Sequence, residues 1–331
     1  MNTGTDTLAK AILKGDRRAL ARGITLVESG RSDHRKQAQA LLEAAADPER
    51  QAMRIGMSGT PGVGKSTFIE AFGCLLVNQG LRVAVLAVDP SSSVSGGSIL
   101  GDKTRMERLS REPGAFIRPS PSQSHLGGVA RRTRDAVMLC EAAGYDVVLI
   151  ETVGVGQSET IVGEMSDMFV LLIAPGGGDE LQGVKRGIME IADMILVNKA
   201  DGDLKSTATR TAADYAGALR LFRTRKGDPD GFPAVRTVSA LEEEGLAEVW
   251  AEMNALIEFR KETGFWQKRR AEQARHWFQD EVRQGLLQQL QSNPTAEAVM
   301  DRLAEDVAEG RRSPGAAAAE VLECLKKAHR E

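Results

Sequence analysis

The sequence predicts an α/β fold, a doubly wound and mostly parallel sheet with helical extensions at both ends. Three features of the 331-residue chain predict it. Short apolar runs alternate with segments of helical spacing through the middle of the chain, as βαβ crossovers require. Several of those runs are apolar on consecutive residues, the pattern of strands buried on both faces. Residues 6–47 and 241–331 carry helical spacing alone. The expected organisation is an N-terminal helical extension at 1–48, an α/β core at 49–241 and a C-terminal helical region at 242–331.

The elements follow in order. Leu8, Ile12 and Leu13, then Leu20, Ile24, Leu26 and Val27, then Ala38, Leu41 and Leu42 recur at helical spacing. Gly30 and Ser32-Asp33 interrupt them as a helix–helix turn. Arg54-Ile55-Gly56-Met57 is a short strand entering a glycine-rich stretch, and 65–79 is the helix after it, closed by Gly80. Residues 81–88 form a near-continuous apolar strand, and 146–150, 168–173, 194–197 and 234–238 are further strands. Between Pro90 and Pro121 the chain is rich in serine, glycine and charge with little periodicity, the character of a functional or disordered stretch. Beyond 241, Leu246, Val249, Trp250, Met253, Leu256 and Ile257 share one apolar helix face; Trp266, Ala274, Trp277, Phe278, Val282, Leu286 and Leu287 form another.

Composition narrows the function classes. With 42% hydrophobic and 27% charged residues the chain can bury a sizeable core. A net charge of −3 argues against a nucleic-acid-binding body. The three cysteines, Cys74, Cys140 and Cys324, lie far apart without metal or redox spacing and read as reduced thiols. No apolar run is long enough to span a bilayer, and the N-terminus lacks a signal-peptide pattern. The expectation is a cytoplasmic or matrix-type protein with no membrane partner.

Two motifs carry the chemistry. Gly59-Thr60-Pro61-Gly62-Val63-Gly64-Lys65-Ser66, followed by Thr67, satisfies the phosphate-loop pattern between a strand and a helix. Its glycines remove the Cβ atoms that would keep phosphates from backbone N–H groups, and the helix N-terminus adds a positive dipole end. Lys65 is expected on the β- and γ-phosphates and Ser66 on Mg²⁺. The second motif is Asn198-Lys199-Ala200-Asp201 after the apolar run 194–197. Guanine presents two donors on one edge, and the Asp201 carboxylate would accept both; adenine has no such edge. A hydrogen bond to a charged group is worth about 1.5–3 kcal/mol, and stranding one costs a similar amount. The pair of motifs therefore predicts a GTP-binding P-loop fold. Asn198 is expected to tie the base loop to the phosphate loop, with the stem of Lys199 across the base. Ser239-Ala240-Leu241 stands where a backbone N–H would meet guanine O6.

Glu151-Thr152-Val153-Gly154 follows a strand where P-loop GTPases carry a turn whose glycine N–H meets the γ-phosphate and whose acid helps hold the metal. Asp89 ends a strand, facing either the ligand crevice or an Asx turn before Pro90. Asp102 lies in Gly101-Asp102-Lys103-Thr104-Arg105. Arg105, Arg108 and Arg111 read as a solvated helix face or as the source of a charge-stabilising finger. The glycine-rich stretch 175–185 reads as a surface connection or a loop reporting nucleotide state to a partner. His125 and Gly128 fit half of a cobalamin-ligating pattern, but Gln123 occupies the acid position.

With these segments assembled, the chain resembles the ArgK/MeaB family of P-loop GTPases associated with methylmalonyl-CoA mutase. The resemblance rests on Asp89-Pro90-Ser91-Ser92, on 96–106 and on Glu151-Thr152-Val153-Gly154-Val155-Gly156-Gln157-Ser158-Glu159, and covers essentially the whole chain. It implies Mg²⁺-dependent GTP hydrolysis, a homodimer, and a chaperone role for an adenosylcobalamin-dependent mutase. It also implies a metal site of Ser66, Asp89, Asp102 and Glu151 and a third switch at 175–185; from their motif positions, Lys65, Glu151 and Gly154 are the expected catalytic residues. Val155 follows Gly154 where small GTPases carry the water-orienting glutamine, so slow turnover that a partner stimulates is expected. The alternatives are a P-loop small-molecule kinase, for which no acceptor base is visible, and a metal-inserting GTPase, for which no histidine-rich tract exists.

Overall fold

The structure, a computed structural model, describes residues 3–88, 106–119, 126–152, 158–176, 186–221 and 227–328. They form two compact units, Met1–Arg270 and Ala271–Glu331.

The first unit opens with three helices, α1 (Thr3–Leu13), α2 (Arg17–Glu28) and α3 (Ser32–Ala45). The break before α2 is set by Asp16, whose carboxylate accepts from the N–H groups of Arg18 at 2.8 Å and Ala19 at 2.9 Å. Ile12, Leu20, Ile24 and Leu41 are fully buried among them. Next come β1 (Met53–Gly59), α4 (Lys65–Asn78), β2 (Val83–Val88), α5 (Glu107–Arg111), β3 (Ala115–Arg118), α6 (Leu126–Ala142) and β4 (Val147–Thr152). Then follow α7 (Ser158–Met165), β5 (Met168–Ile173), α8 (Arg186–Ile191), β6 (Met194–Val197), a 3₁₀ turn (Gly202–Leu204), α9 (Lys205–Leu219), β7 (Ala234–Thr237) and α10 (Leu246–Glu262).

The seven strands form one sheet in the order β3-β2-β4-β1-β5-β6-β7. Every ladder is parallel. From β1 the chain winds out through β2 and β3, returns to β4 beside β1, then crosses to β5 on the other flank. That reversal makes the carboxyl end of β1 a topological switch point, where doubly wound sheets bind ligands. Each described residue of β4, β5 and β6 is buried, which accounts for their unbroken apolar runs. Six of the strands coincide with the expected ones. The edge strand β3 does not: it lies inside the 90–121 stretch that read as aperiodic, and four residues are too few to display a period.

Helix α10 buries the expected face of Leu246, Val249, Trp250, Met253, Leu256 and Ile257. Trp250 meets Phe72 of α4 edge-on at 5.9 Å, and Phe72 stacks with Phe68 at 5.3 Å. The indole N–H of Trp250 donates to Gln79 Oε1 at 3.0 Å. Beyond α10 begins α11 (Phe265–Gln291), whose first turns stay in this unit. A buried ionic lattice near the amino ends of the central strands holds both helices. Arg260 on α10 donates to Asp193 at 2.6 Å, to Asp228 at 2.6 Å and to the Asp167 carbonyl at 2.9 Å. Arg270 on α11 grips Asp167 at 2.6 Å and Glu141 at 3.2 Å, and Glu141 also takes a bidentate bond from Arg54.

In the second unit, α11 continues and α12 (Pro294–Ala308) and α13 (Pro314–Ala328) follow. Leu303, Ala317 and Val321 form its core, with Leu290, Val299 and Val307 against them. Asn293 caps α12 by accepting from Thr295 and Ala296. The second apolar face read from the sequence is divided: Trp266 packs against the core of the first unit and Trp277 is half-buried, while Phe278, Val282, Leu286 and Leu287 are exposed.

Cys74 and Cys140 are buried and Cys324 half-buried, all three free thiols. Among the described residues no helix is long and apolar enough to cross a membrane.

Candidate nucleotide site

The site grows from the carboxyl end of β1. That strand ends at Gly59 and α4 begins at Lys65, leaving the turn 60–64 between sheet and helix. Two glycines make the turn possible. A Cβ on Gly59 would lie 2.4 Å from the Leu172 carbonyl of β5. Gly64, with φ 90, caps α4 in the left-handed region, and a Cβ there would meet Asn198 Nδ2 at 2.8 Å. Val63 points down into the core, 1% exposed, while Pro61 and Gly62 stay exposed at the top of the turn. Ser66 and Thr67 occupy the first turn of α4 beside Lys65.

Lys65 is buried, and its ammonium donates to the Gly59 carbonyl at 2.6 Å. Burial lowers its pKa, opposed by the nearby carboxylates of Glu151 and then Glu159. Glu151 is 6% exposed, so it is not a solvent-facing strand end. It sits on β4 opposite Met57 of β1 and Ala87 of β2, between two strands whose carboxyl ends frame the site. Thr152 follows, its hydroxyl donating to Ser58 Oγ at 2.9 Å. Glu159, 3% exposed in the first turn of α7, is the site residue that sequence reasoning passed over. It stood in the segment that carries the family resemblance, yet nothing local marked a carboxylate in a helix as buried beside a lysine.

The residues expected on the base lie in the loops after β6 and β7. Asn198, 1% exposed, donates from Nδ2 to the Val63 carbonyl at 2.9 Å and accepts at Oδ1 from the Ala240 N–H at 3.0 Å. One side chain thus joins the phosphate loop to both base-side loops. Lys199, with φ 59, donates to the Gly62 carbonyl at 2.7 Å, which lays its stem over the gap between the loops. Ser239 Oγ donates to Asp201 Oδ2 at 2.5 Å, holding the carboxylate in one orientation. Leu241 is 73% exposed at the tip of the same turn, available to cover a flat ligand face.

Asp89, Asp102, Arg105, His125, Gly154, Val155, Gln157 and residues 177–185 lie outside the described residues. Arg108 and Arg111 are described, and each is engaged: Arg108 with Glu243 at 2.7 Å, Arg111 with Glu107 at 3.6 Å.

A phosphate loop, a buried lysine and an Asn-Lys-Ala-Asp loop on one strand edge narrow the field to nucleotide-dependent families. The family model described as methylmalonyl Co-A mutase-associated GTPase MeaB matches residues 20–295. The chain belongs to the MeaB family. GTPase ArgK of Escherichia coli (strain K12) is 49% identical over 293 residues, 87% of each chain. The mitochondrial methylmalonic aciduria type A homolog of Mus musculus is 46% identical over 334 residues, 98% of this chain and 80% of that one. The crystal structure of an LAO/AO transport system kinase superposes with a TM-score of 0.75 at 36% identity, covering 98% of this chain and 99% of that one. Membership of this GTPase family implies binding of GTP and GDP, and the site above is where the glycine-rich turn 59–66 meets the loops after β6 and β7.

A divalent cation suits what is described of the donor set. The Ser66 hydroxyl and the Glu151 carboxylate are hard oxygen donors on neighbouring elements, the kind that Mg²⁺ takes.

Proposed function

We propose that the protein is a Mg²⁺-dependent GTPase that acts as a chaperone of an adenosylcobalamin-dependent methylmalonyl-CoA mutase. In this role GTP hydrolysis gates delivery of intact cofactor and helps expel damaged cofactor. The family description and the name of the mouse relative support the partner. The observation that carries the nucleotide half is the joined pair of loops, in which Asn198 spans Val63 and Ala240 while Ser239 orients Asp201.

Within this reading Asp201 accepts from the guanine edge, the Ala240 N–H faces O6, and Lys65 pairs with the β- and γ-phosphates. The backbone of 59–67 holds those phosphates. Ser66, Asp89, Asp102 and Glu151 would hold the cation, which supplies charge neutralisation at the phosphates when bound. Gly154 meets the γ-phosphate. Val155 leaves no water-orienting glutamine after that glycine, so intrinsic turnover is slow and rises when the partner orders the switch segments. The exposed Phe278, Val282 and Leu286, spaced by four residues on α11, supply a homodimer interface.

Single-turnover hydrolysis of GTP, followed by release of inorganic phosphate with and without the mutase, tests the proposal. The account predicts slow release alone and faster release with the mutase. Equal rates in both, or rapid hydrolysis by the isolated chain, would overturn it. Transfer of the phosphoryl group to a small acceptor in place of phosphate release would mark a kinase.

A further inference from the structure

Among the described residues only two besides glycine adopt a left-handed backbone, Lys199 with φ 59 and Glu243 with φ 58. Both belong to the base-side loops. A left-handed side-chain-bearing residue is strained and persists only where its surroundings hold it there. The bond from Lys199 to the Gly62 carbonyl accounts for the first. Glu243 has no part in the site as described so far.

Its surroundings are specific. Ser239 and Glu244 close the turn, each N–H donating to the other's carbonyl at 3.0 Å. Gly245, with φ 78, ends it so close to β7 that a Cβ would lie 2.9 Å from the Thr237 carbonyl. The Glu243 carboxylate accepts from Arg108 Nη1 at 2.7 Å, across 135 positions of sequence. Arg108 belongs to α5, which is seated on the helix of the phosphate loop. The Arg108 N–H donates to Glu70 Oε1 of α4 at 2.7 Å. Leu109 is fully buried against Gly73 of α4, where a Cβ would meet Leu109 Cδ2 at 2.5 Å. The chain of contacts therefore runs from α4 through α5 to the turn that contains Ser239, Ala240 and Leu241.

We propose that Arg108 and Glu243 are positioning residues for guanine binding, clamping the 239–245 turn to the phosphate-loop helix and so setting how long the nucleotide stays bound. The proposal rests on the reading that Asp201 and Ala240 face the base. The pair is a second fastening of this turn, separate from Asn198, whose Oδ1 accepts from the Ala240 N–H. Both partners are substantially exposed, 63% and 48%, so the clamp is screened by salt and its effect is modest.

Release of fluorescent GDP and fluorescent GTP from the full-length chain, followed by stopped flow, tests the clamp. The variants are Arg108→Glu, Glu243→Arg and the two together. Each single reversal is expected to release nucleotide about three- to fivefold faster at low salt, the upper part of the range an exposed pair supplies, since reversal replaces attraction with repulsion. The double reversal restores release to within about twofold of the unsubstituted rate, and the differences shrink in about 1 M salt. Unchanged release in the single variants, or no rescue in the double one, would overturn the proposal. So would release rates that merely follow the Tm of the nucleotide-free variants, since that would assign the pair to the fold alone. If the unsubstituted chain binds no guanine nucleotide, the reading beneath the clamp fails and the clamp fails with it.

Discussion

Lys65 carries opposing demands in one side chain. Burial disfavours its ammonium, while Glu151 and Glu159 favour it, and the Gly59 carbonyl takes one of its protons. Phosphate oxygens are better acceptors than that carbonyl, so the ammonium held at the Gly59 carbonyl is one that a triphosphate can recruit. Lys65→Ala is expected to weaken GTP binding by roughly ten- to a hundredfold, the worth of a hydrogen bond to a charged group. Equilibrium titration reads this directly, and an affinity equal to that of the unsubstituted chain would remove Lys65 from the phosphate site. At this scale much of the site is legible in sequence, because glycine spacing and the Asn-Lys-Ala-Asp order encode local backbone shape and donor chemistry. Glu159 is not legible, since its proximity to Lys65 depends on how α7 packs beside β1 and β4.

Among the elements, the sheet was readable for the reason that made it stable. Strands buried on both faces need unbroken apolar runs, and β4, β5 and β6 display them. The edge strand β3 escapes because it pairs only with β2 and has just three buried residues, too little pattern to separate from the polar stretch around it. The ionic lattice that fastens α10 is equally invisible, since Arg260 meets Asp193 and Asp228 from 67 and 32 positions away. Burial alone would lower the pKa of the Arg260 guanidinium, but the two aspartates together raise it. Arg260→Met strands both carboxylates in the interior, a loss that costs about 3–5 kcal/mol. A chemical-denaturation midpoint measured without nucleotide checks this, and a loss below about 1 kcal/mol would show that the lattice contributes little.

For the molecule as a whole, the second unit raises a question of surface. Its small core is Leu303, Ala317 and Val321, yet Phe278, Val282, Leu286 and Leu287 remain in solvent on one helix. Apolar side chains at four-residue spacing form a stripe fit to pack against an identical stripe, as isologous dimers do. The account expects light scattering to report a dimer, and Phe278→Glu with Leu286→Glu to yield monomers that still bind GTP. A monomeric unsubstituted chain, or a dimer that survives both charges, would place the interface elsewhere. Sequence periodicity located this face but held no information on what covers it, because helical spacing is the same for a core face and an interface.

Calorimetric titration of the nucleotide-free chain with GTP and ATP tests the base assignment most directly, with Asp201→Asn as the second arm. The account predicts that GTP binds far more tightly than ATP, and that Asp201→Asn loses GTP affinity while gaining xanthine triphosphate. ATP binding as tight as GTP, or an Asp201→Asn variant with undiminished GTP affinity, would contradict it.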